Sequence, residues 1–286
     1  MLNAKPYPRT RNLFNPDSKT PYRLSRSRLE NFLNCPRCFY MDRRLGVEPP
    51  QGPSFTLNSA VDELLKKEFD EFRRLRRPHP LCVEHGVDAI PFAHPMLGEW
   101  REVFKGVQHH HSLTNFLMFG AVDDIWETPA GELMVVDYKA TSTDQIISLE
   151  GEYRQAYKRQ MEIYQWLLRK QKLKVSNTGY FVYCNADRGK KNFNSKLEFS
   201  IQLIPYAGND GWVEEAVVAA HQCLMAGRLP PYSPSCSFCN YRQASRSLEE
   251  DVPTAVSVFK SAPAKKQTPR ILRNLLLGAE VQSELF

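Results

Sequence analysis

A predicted β-hairpin constrains the fold of this chain more than any other feature. Residues 116–126 and 132–139 are two runs rich in β-branched and aromatic side chains, and residues 127–131 lie between them. Gly131 can adopt the positive φ angle that a tight hairpin loop requires. The two runs are therefore predicted to form adjacent antiparallel strands.

The hairpin register places two carboxylates and a lysine on one face. With residues 129–131 in the loop, Asp123 lies opposite Asp137, and directly opposed side chains are roughly 5 Å apart. Lys139 follows Asp137 by two residues, so it shares that face. Paired carboxylates suit Mg²⁺ or Mn²⁺, which can polarise a phosphate and activate water. The alternative is an Asp–Lys pair on an exposed hairpin, but the apolar second strand favours burial.

Helical and strand patterns recur on both sides of the hairpin. Three segments have apolar residues at helical spacing: 54–77, 150–172 and 212–225. Two apolar, β-branched segments, 178–183 and 197–204, are predicted strands. The order of helices and strands predicts an α/β (α+β) fold in which a mixed β-sheet is flanked by helices.

The hairpin residues resemble the signature of a known family. Residues 120–123 (Gly-Ala-Val-Asp) and 136–139 (Val-Asp-Tyr-Lys) are similar to the core motif of PD-(D/E)XK nucleases, in the branch of the RecB and AddB nuclease domains. The resemblance implies a restriction-endonuclease-like core. It also implies that Asp123 and Asp137 bind catalytic Mg²⁺ or Mn²⁺ and that Lys139 assists the attacking water.

Two further positions bear on this resemblance. Residues 160–164 (Gln-Met-Glu-Ile-Tyr) are similar to the Q-x-x-x-Y motif of the same branch, and a spacing of four puts Gln160 and Tyr164 on one helix face. The resemblance implies that this pair contacts DNA and steadies the active site. Related nucleases often carry a metal-binding histidine on the helix before the sheet, where this chain has Asp62. Asp62 is either a third oxygen ligand or a surface charge.

Four cysteines form two C-x-x-C pairs near the ends of the predicted domain. Cys35 and Cys38 follow a short predicted helix, and Cys236 and Cys239 lie about 200 residues later. Four thiolates suit a tetrahedral Zn²⁺ ion or a [4Fe–4S] cluster, and the alternative is ordinary reduced thiols. Iron–sulfur nucleases of the superfamily usually join one early cysteine to three late ones. Here Ser245 stands where the third late cysteine is expected, and Cys38 is its candidate replacement.

The chain is expected to have three parts. Residues 1–24 form an irregular arm, residues 25–250 the nuclease domain, and residues 251–286 a flexible tail. The tail ends in Gln282-Ser-Glu-Leu285-Phe286, which resembles the peptide that bacterial replication and repair proteins use to bind the sliding clamp. The resemblance implies a clamp partner held by Gln282, Leu285 and Phe286.

Composition limits the setting in which the chain works. No stretch is long and apolar enough for a membrane helix and no secretion signal is present, so a cytoplasmic protein without a membrane partner is expected. There are 38 basic and 32 acidic residues, which gives a net charge of +6. This charge permits a polyanionic partner without identifying one.

These observations favour a metal-dependent nuclease that hydrolyses DNA in repair or recombination. By resemblance, the expected substrate is single-stranded DNA or DNA ends, and an exonuclease is favoured over an endonuclease. One alternative is a catalytically inactive DNA- or clamp-binding scaffold of the same fold, which Asp62 in place of a histidine favours. Another is a CRISPR-associated nuclease of spacer acquisition, which shares these motifs.

Overall fold

The chain divides into two compact units. The computed structural model describes residues 8–50, 52, 56–151 and 154–251. The units are Met1–Cys239 and Asn240–Phe286, so the division precedes the predicted domain end at residue 250. The first unit contains both β-sheets and every residue of the predicted hairpin site. From residue 252 onward, the predicted tail lies outside the described residues.

The first unit is built on two mixed sheets. The described strands are β1 (Tyr22–Ser25), β2 (Ile90–Pro91), β3 (Val107–His111), β4 (Phe116–Gly120), β5 (Asp124–Glu127), β6 (Leu133–Thr141), β7 (Thr178–Ala186) and β8 (Phe199–Ala207). One sheet has the order β1-β4-β3, with β1 parallel to β4. The other has the order β2-β5-β6-β7-β8, with β6 parallel to β7. The predicted α/β class is confirmed, with two mixed sheets in place of one.

Helices of the first unit pack against these sheets. The described helices are α1 (Arg26–Asn34), α2 (Pro36–Leu45), α3 (Thr56–Leu75), α4 (Pro80–Glu84), α5 (Leu97–Trp100), α6 (Gln155–Lys170), α7 (Val213–Met225) and α8 (Ser237–Asp251). The three long helices predicted from apolar spacing are confirmed as α3, α6 and α7. None of the described helices combines the length and the apolar character that a membrane span requires.

Strand β6 is buried on both faces, which explains its apolar sequence. Val136 and Tyr138 belong to one core cluster with Phe69 of α3. Val135 belongs to the other core cluster with Met161 of α6. Because side chains alternate along a strand, the charged residues Asp137 and Lys139 point to the α6 side of the sheet.

The predicted hairpin loop is confirmed. The backbone N–H of Thr128 donates to the carbonyl oxygen of Glu132 at 3.0 Å, which leaves residues 129–131 as the loop. From this loop the β5–β6 ladder continues in the predicted register, with Asp124 opposite Val136.

The prediction of one continuous strand over residues 116–126 is wrong. This segment forms β4 and β5, which belong to different sheets. Between them, the N–H of Val122 donates to the carbonyl oxygen of Trp100 at 3.1 Å instead of to a neighbouring strand. The break changes the direction of the chain immediately before Asp123, which therefore lies just before β5 and outside the ladder in which it was predicted to oppose Asp137.

The prediction of an irregular arm over residues 1–24 is wrong for residues 22–24, which belong to a strand. Tyr22–Ser25 forms β1, which pairs in parallel with β4. Phe14 is buried, and its ring meets those of Tyr22 and Phe116 edge-on at 5.3 and 5.9 Å between centroids. A four-residue edge strand depends on a partner almost a hundred residues away, so local sequence carries little signal for it.

Helix α2 was not predicted, although its local signals are strong. Pro36 occupies the first turn, where its missing N–H costs nothing, and Gly46 ends the helix with a φ of 76°. Cys35 is the residue that caps its start. The segment 79–100 contains the short elements α4, β2 and α5.

Candidate active site and cysteine cluster

Asp137 and Lys139 form the buried centre of the candidate active site. The Asp137 side chain is fully buried, and its Oδ1 accepts a hydrogen bond from Nε2 of Gln160 at 2.7 Å. The Lys139 ammonium contacts Oδ2 of Asp137 and lies 4.8 Å from the centre of the Tyr157 ring. The predicted sharing of one face by Asp137 and Lys139 is confirmed, and α6 covers that face.

Asp123 lies immediately before β5 and is held by two hydrogen bonds. Its Oδ2 accepts a hydrogen bond from the backbone N–H of Tyr138 at 3.0 Å. Nε of Arg101 donates to the carbonyl oxygen of Asp123 at 3.0 Å. About a fifth of the Asp123 side chain is exposed. The structure therefore brings the two predicted carboxylates to neighbouring positions, one buried and one open to solvent.

Gln160 and Tyr164 lie on one face of α6, as the spacing predicts. Nε2 of Gln160 bridges Asp137 and the hydroxyl of Tyr164, which is 3.3 Å away. The Tyr164 ring packs against Gly120, where an added Cβ would lie 2.7 Å from ring atom Cε1. This close approach explains why glycine opens the motif of residues 120–123.

Replacing Gly120 with alanine is expected to destabilise the protein by about 1–3 kcal/mol, because the new methyl group displaces the buried Tyr164 ring. DNA cleavage should fall with it, since Tyr164 supports Gln160. Gly98→Ala is the matched control, since no atom lies within 4 Å of a Cβ at that position. Urea unfolding checks the prediction, and equal stability of the two variants would contradict it.

Asp62 reaches the same site from α3, together with a lysine that sequence reasoning missed. The Lys66 ammonium lies 2.6 Å from Oδ2 of Asp62 and 3.7 Å from Oδ1 of Asp123. Burial raises the pKa of Asp62 and the Asp123 carboxylate adds to this shift, while Lys66 opposes it. The spacing of four between Asp62 and Lys66 is the sequence signal that would have paired them.

The electrostatics of the site follow from burial. Burial raises the pKa of Asp137 to about 6; the Lys139 ammonium opposes the shift and the Asp123 carboxylate adds to it. Burial alone would lower the pKa of Lys139, but the Asp137 and Asp123 carboxylates outweigh it and raise that pKa. The lysine is thus held as a cation beside a carboxylate that is costly to keep charged.

A divalent cation fits the chemistry of these donors. Oδ2 of Asp137 is buried and has no hydrogen-bond partner among the described residues, although the Lys139 ammonium contacts it. Carboxylate oxygens of this kind are the ligands that Mg²⁺ and Mn²⁺ prefer. Asp123 and Asp137 are the residues that would hold the ion. Within the described ranges, Asp62 is not gathered with them into a compact set of three ligands.

A buried ionic network on the opposite face of β5 supports Asp123, and the sequence did not reveal it. Asp124 is fully buried; its Oδ1 accepts from Arg101 at 2.9 Å and contacts the Arg73 guanidinium. Its Oδ2 accepts from the Tyr138 hydroxyl at 2.7 Å. Since Arg101 also holds the Asp123 carbonyl, the network fixes the backbone at the site. Asp123 and Asp124 therefore point to opposite sides of β5, as neighbouring residues at a strand do.

Replacing Asp124 with asparagine is expected to destabilise the protein by about 3 kcal/mol, because two guanidinium groups lose a buried counter-charge. Asp144→Asn is the control, since Asp144 pairs with Arg188 through side chains that are 73% and 59% exposed. That exposed pair should contribute little to stability, because water and salt screen it. Urea denaturation of both variants measures the difference, and similar losses would contradict the supporting role of Asp124.

The four predicted cysteines converge on one point in the first unit. Their sulfur atoms all lie within 4.8 Å of one another. Sγ of Cys38 is 3.7 Å from that of Cys236 and 3.6 Å from that of Cys239, and Sγ of Cys35 is 3.6 Å from that of Cys239. Among the described residues this is the only compact group of three or more ligand-type side chains. The quartet can hold a metal.

Backbone groups favour the thiolate at one corner of this cluster. Burial opposes ionisation of Cys35, but backbone N–H groups of Cys38 and Ser233 donate to its sulfur, and its pKa is lowered to about 7. Burial and the neighbouring thiols raise the pKa of Cys38. One thiol is thus prepared to ionise first, as metal binding by cysteines requires.

Comparison with known families agrees with this geometry. A model of the PD-(D/E)XK nuclease superfamily matches residues 23–244, a range that runs from β1 into α8. No curated protein matches the chain. The chain therefore belongs to the PD-(D/E)XK nuclease superfamily, a group of phosphodiester-hydrolysing enzymes that generally use divalent metals and act on DNA.

Proposed function

We propose that this protein is a Mg²⁺- or Mn²⁺-dependent deoxyribonuclease of the RecB-like branch. The observation that carries the proposal is the buried Asp137 carboxylate, contacted by Lys139 and bonded to Gln160, beside the partly exposed Asp123. Burying a charge pair costs desolvation energy, and proteins often bear this cost at functional sites. The burial of Asp137 and Lys139 therefore favours a catalytic role over a structural one. Single-stranded DNA or DNA ends are the proposed substrate, and repair or recombination in the cytoplasm is the proposed setting.

Each side chain has a proposed role. Asp123 and Asp137 hold the cation, which when bound polarises the phosphate and lowers the pKa of a water molecule. Lys139 places a positive charge where negative charge develops on the phosphate. Gln160 orients Asp137, Tyr164 supports Gln160 and contacts DNA, and Asp62 is the candidate third carboxylate.

Cleavage of defined DNA substrates tests this proposal. Linear single-stranded, circular single-stranded and blunt duplex DNA, labelled internally or at one end, are incubated with Mg²⁺, Mn²⁺ or EDTA. An exonuclease should degrade the linear strand, spare the circle, and stop in EDTA. Cleavage of the circular strand would show that the protein is an endonuclease, because a circle offers no end to an exonuclease. A folded, metal-supplied protein that cuts none of these substrates would overturn the proposal.

An inactive DNA-binding scaffold is the second candidate function. Lys66 favours it, because this ammonium lies close to both Asp62 and Asp123 and competes with a cation for their oxygens. A scaffold should bind DNA without cutting it, and its Asp123 and Asp137 should not bind Mn²⁺. Isothermal titration with Mn²⁺ in the absence of DNA separates the two functions.

For the cysteine cluster, we propose a single structural Zn²⁺ ion. Zinc–sulfur bonds of about 2.3 Å in a tetrahedron place the sulfur atoms about 3.8 Å apart. The four sulfurs of a [4Fe–4S] site surround a cube of iron and sulfide and lie roughly 6 Å apart. The sulfur separations of 3.6 and 3.7 Å, with all four sulfurs within 4.8 Å of one another, support the single ion.

Metal analysis of protein purified without oxygen tests this assignment. One equivalent of zinc, with no acid-labile sulfide and no visible absorption of an iron–sulfur cluster, is the expected result. Iron and sulfide in equal amounts would overturn it. Expression with and without added zinc controls for adventitious loading.

The proposed sliding-clamp peptide, with Gln282, Leu285 and Phe286, lies outside the described residues and stays a prediction. Binding of the full chain to a bacterial sliding clamp, compared with a variant truncated after residue 281, tests it. Equal binding by both proteins would contradict a role for these residues.

A further inference from the structure

A groove beside the edge strand β1 has features of a ligand site that the proposed chemistry does not use. We call it the arm groove; it has a volume of about 660 Å³ and runs between the N-terminal arm, the start of α1 and the segment that follows α5. The residues that matter here are Arg23, Ser25, Ser27, Arg28, Phe104 and Phe119. Their side chains combine positive charge, hydroxyl groups and aromatic rings.

The charge of the arm groove is positive. Within the described part of the chain, its walls carry arginines and no carboxylate. Behind the wall, the single carboxylate of Asp42 is shared by Arg9, Arg28 and Arg43. Glu48 contacts only Arg28, at 3.3 Å. Three guanidinium groups around two carboxylates leave an excess of positive charge that suits an anionic ligand.

Arg23 strengthens this excess and organises the aromatic part of the groove. No ion pair joins its guanidinium to a carboxylate among the residues that the structure describes. The guanidinium lies 4.5 Å from the centre of the Phe119 ring and donates to the carbonyl oxygen of Phe104 at 2.6 Å. Arg23 is therefore held in place with its charge uncompensated.

Phe104 is an exposed aromatic ring at the rim of this positive groove. Its side chain is 86% exposed, so folding gains little from a phenylalanine here. Aromatic rings beside arginines form the surface on which unpaired nucleic-acid bases stack, with phosphates held by the guanidinium groups. In a duplex the bases are already stacked on each other and present only their edges. The combination therefore fits a single strand better than a duplex.

The arm groove and the residues that pack against Tyr164 share two short segments of chain, one in β4 and one where β1 leads into α1. Phe119 lines the groove, and the next residue, Gly120, packs against Tyr164. Ser25 and Ser27 line the groove, and Arg26 between them has its Cβ 3.3 Å from the position of a Cβ at residue 120. Because side chains alternate along a strand, the groove and Tyr164 lie on opposite faces of this sheet and meet at the shared ends of β1 and β4. A strand lying in the groove would have to pass these strand ends to reach Gln160 and Asp137.

We propose that the arm groove binds single-stranded DNA on one side of the phosphate to be cleaved. Arg23 and Arg28 hold its phosphates, and Phe104 stacks on one of its bases. The proposal rests on the proposed function for the identity of the polyanion. It makes the arm groove a determinant of strand preference, separate from the residues that carry out cleavage.

Equilibrium binding in EDTA tests the arm groove without requiring cleavage. A fluorescent single-stranded oligonucleotide of about 20 nucleotides is titrated with the full chain, and fluorescence anisotropy is followed at several salt concentrations. Phe104→Ala should weaken binding by about tenfold or more, as loss of one stacked base does. Phe104→Trp should restore it. Arg23→Gln should lower the slope of log affinity against log salt by about 0.7, the value for one phosphate contact with a single strand.

Matched controls replace residues of the same types elsewhere. Phe193→Ala removes another exposed ring, 68% exposed, and Arg188→Gln removes another exposed guanidinium, and both should bind like the wild type. Unchanged thermal unfolding of Phe104→Ala, which its exposure predicts, separates a binding loss from misfolding.

The outcomes separate this proposal from the proposed function. If the wild-type protein cuts DNA while Phe104→Ala and Arg23→Gln bind it normally, the proposed role of the arm groove is overturned. The proposed nuclease activity is then unaffected. If the protein binds DNA through the arm groove but does not cut it, the proposed role of the groove is supported and the proposed nuclease activity is overturned. Tighter binding of a duplex than of a single strand, lost in the same variants, would overturn the assignment to single-stranded DNA.

Discussion

Replacing Lys139 with methionine is expected to slow metal-dependent DNA cleavage by about 10²–10³-fold, the cost of removing one preorganised group that stabilises developing charge. The ammonium lies on the same strand face as Asp137, contacts its carboxylate and is fixed over the Tyr157 ring. Methionine keeps most of the volume of the side chain and removes the charge together with the N–H donors. Single-turnover cleavage at saturating Mg²⁺ measures the loss.

Metal binding distinguishes the role of Lys139 from that of its neighbour. Removing a cation beside the carboxylates should leave Mn²⁺ affinity unchanged or increase it, because less positive charge repels the ion. Asp137→Asn should lower both Mn²⁺ affinity and cleavage, since it removes a proposed ligand. Isothermal titration with Mn²⁺ gives the two affinities.

Lys174→Met is the control for the lysine substitution, because Lys174 is 62% exposed and pairs only with exposed partners in the described structure. It should cut DNA at the wild-type rate. A loss of less than tenfold in Lys139→Met, with circular dichroism showing both variants folded, would refute the catalytic role of this lysine.

The centre of the candidate site could be predicted from sequence because it lies on one short hairpin. The loop at residues 129–131 fixes the register, and the strand period then places Asp137 and Lys139 on one face. The spacing of four likewise places Gln160 and Tyr164 together on α6. In each case the relevant geometry is set within one local element, so periodicity is sufficient.

The parts that sequence reasoning missed depend on distant partners. Arg101 reaches Asp123 and Asp124 from the end of a one-turn helix, and no local pattern links these positions. The break between β4 and β5 arises from the bond of Val122 to Trp100, which competes with strand continuation. Strand β1 exists only because β4 is beside it. Tertiary contacts decide all three features.

The cysteine cluster could be predicted in part, because local sequence sets each pair and the fold brings the two pairs together. Spacing identifies each C-x-x-C pair, and the junction of α1 and α2 fixes Cys35 and Cys38 locally. Their approach to Cys236 and Cys239 crosses about 200 residues and needed the fold. Spacing alone also leaves a zinc ion and an iron–sulfur cluster as alternatives, because both use the same four thiolates. The proposal of zinc therefore rests on the sulfur–sulfur distances.

Replacing both Cys35 and Cys38 with alanine is expected to abolish binding of the proposed zinc ion and to lower the Tm by roughly 10 °C or more. Metal binding by four cysteines contributes directly to folding, and several kcal/mol is its usual scale. At this chain length each kcal/mol shifts the Tm by about 2–4 °C. The site joins positions 204 residues apart, so its loss also releases a long loop. Differential scanning calorimetry and zinc analysis check both effects.

Cys223→Ala is the matched control, since Cys223 is partly buried near the cluster but is not among its four sulfurs. It should keep one zinc ion and nearly all of the wild-type Tm. The double variant, assayed below its own Tm, should still cleave DNA, because Asp123, Asp137 and Lys139 are held by β5, β6 and α6 rather than by the cysteines. Loss of cleavage by a double variant that remains folded would mean that the cysteine-bound metal affects the active site. An unchanged Tm of the double variant would mean that this metal does not stabilise the fold.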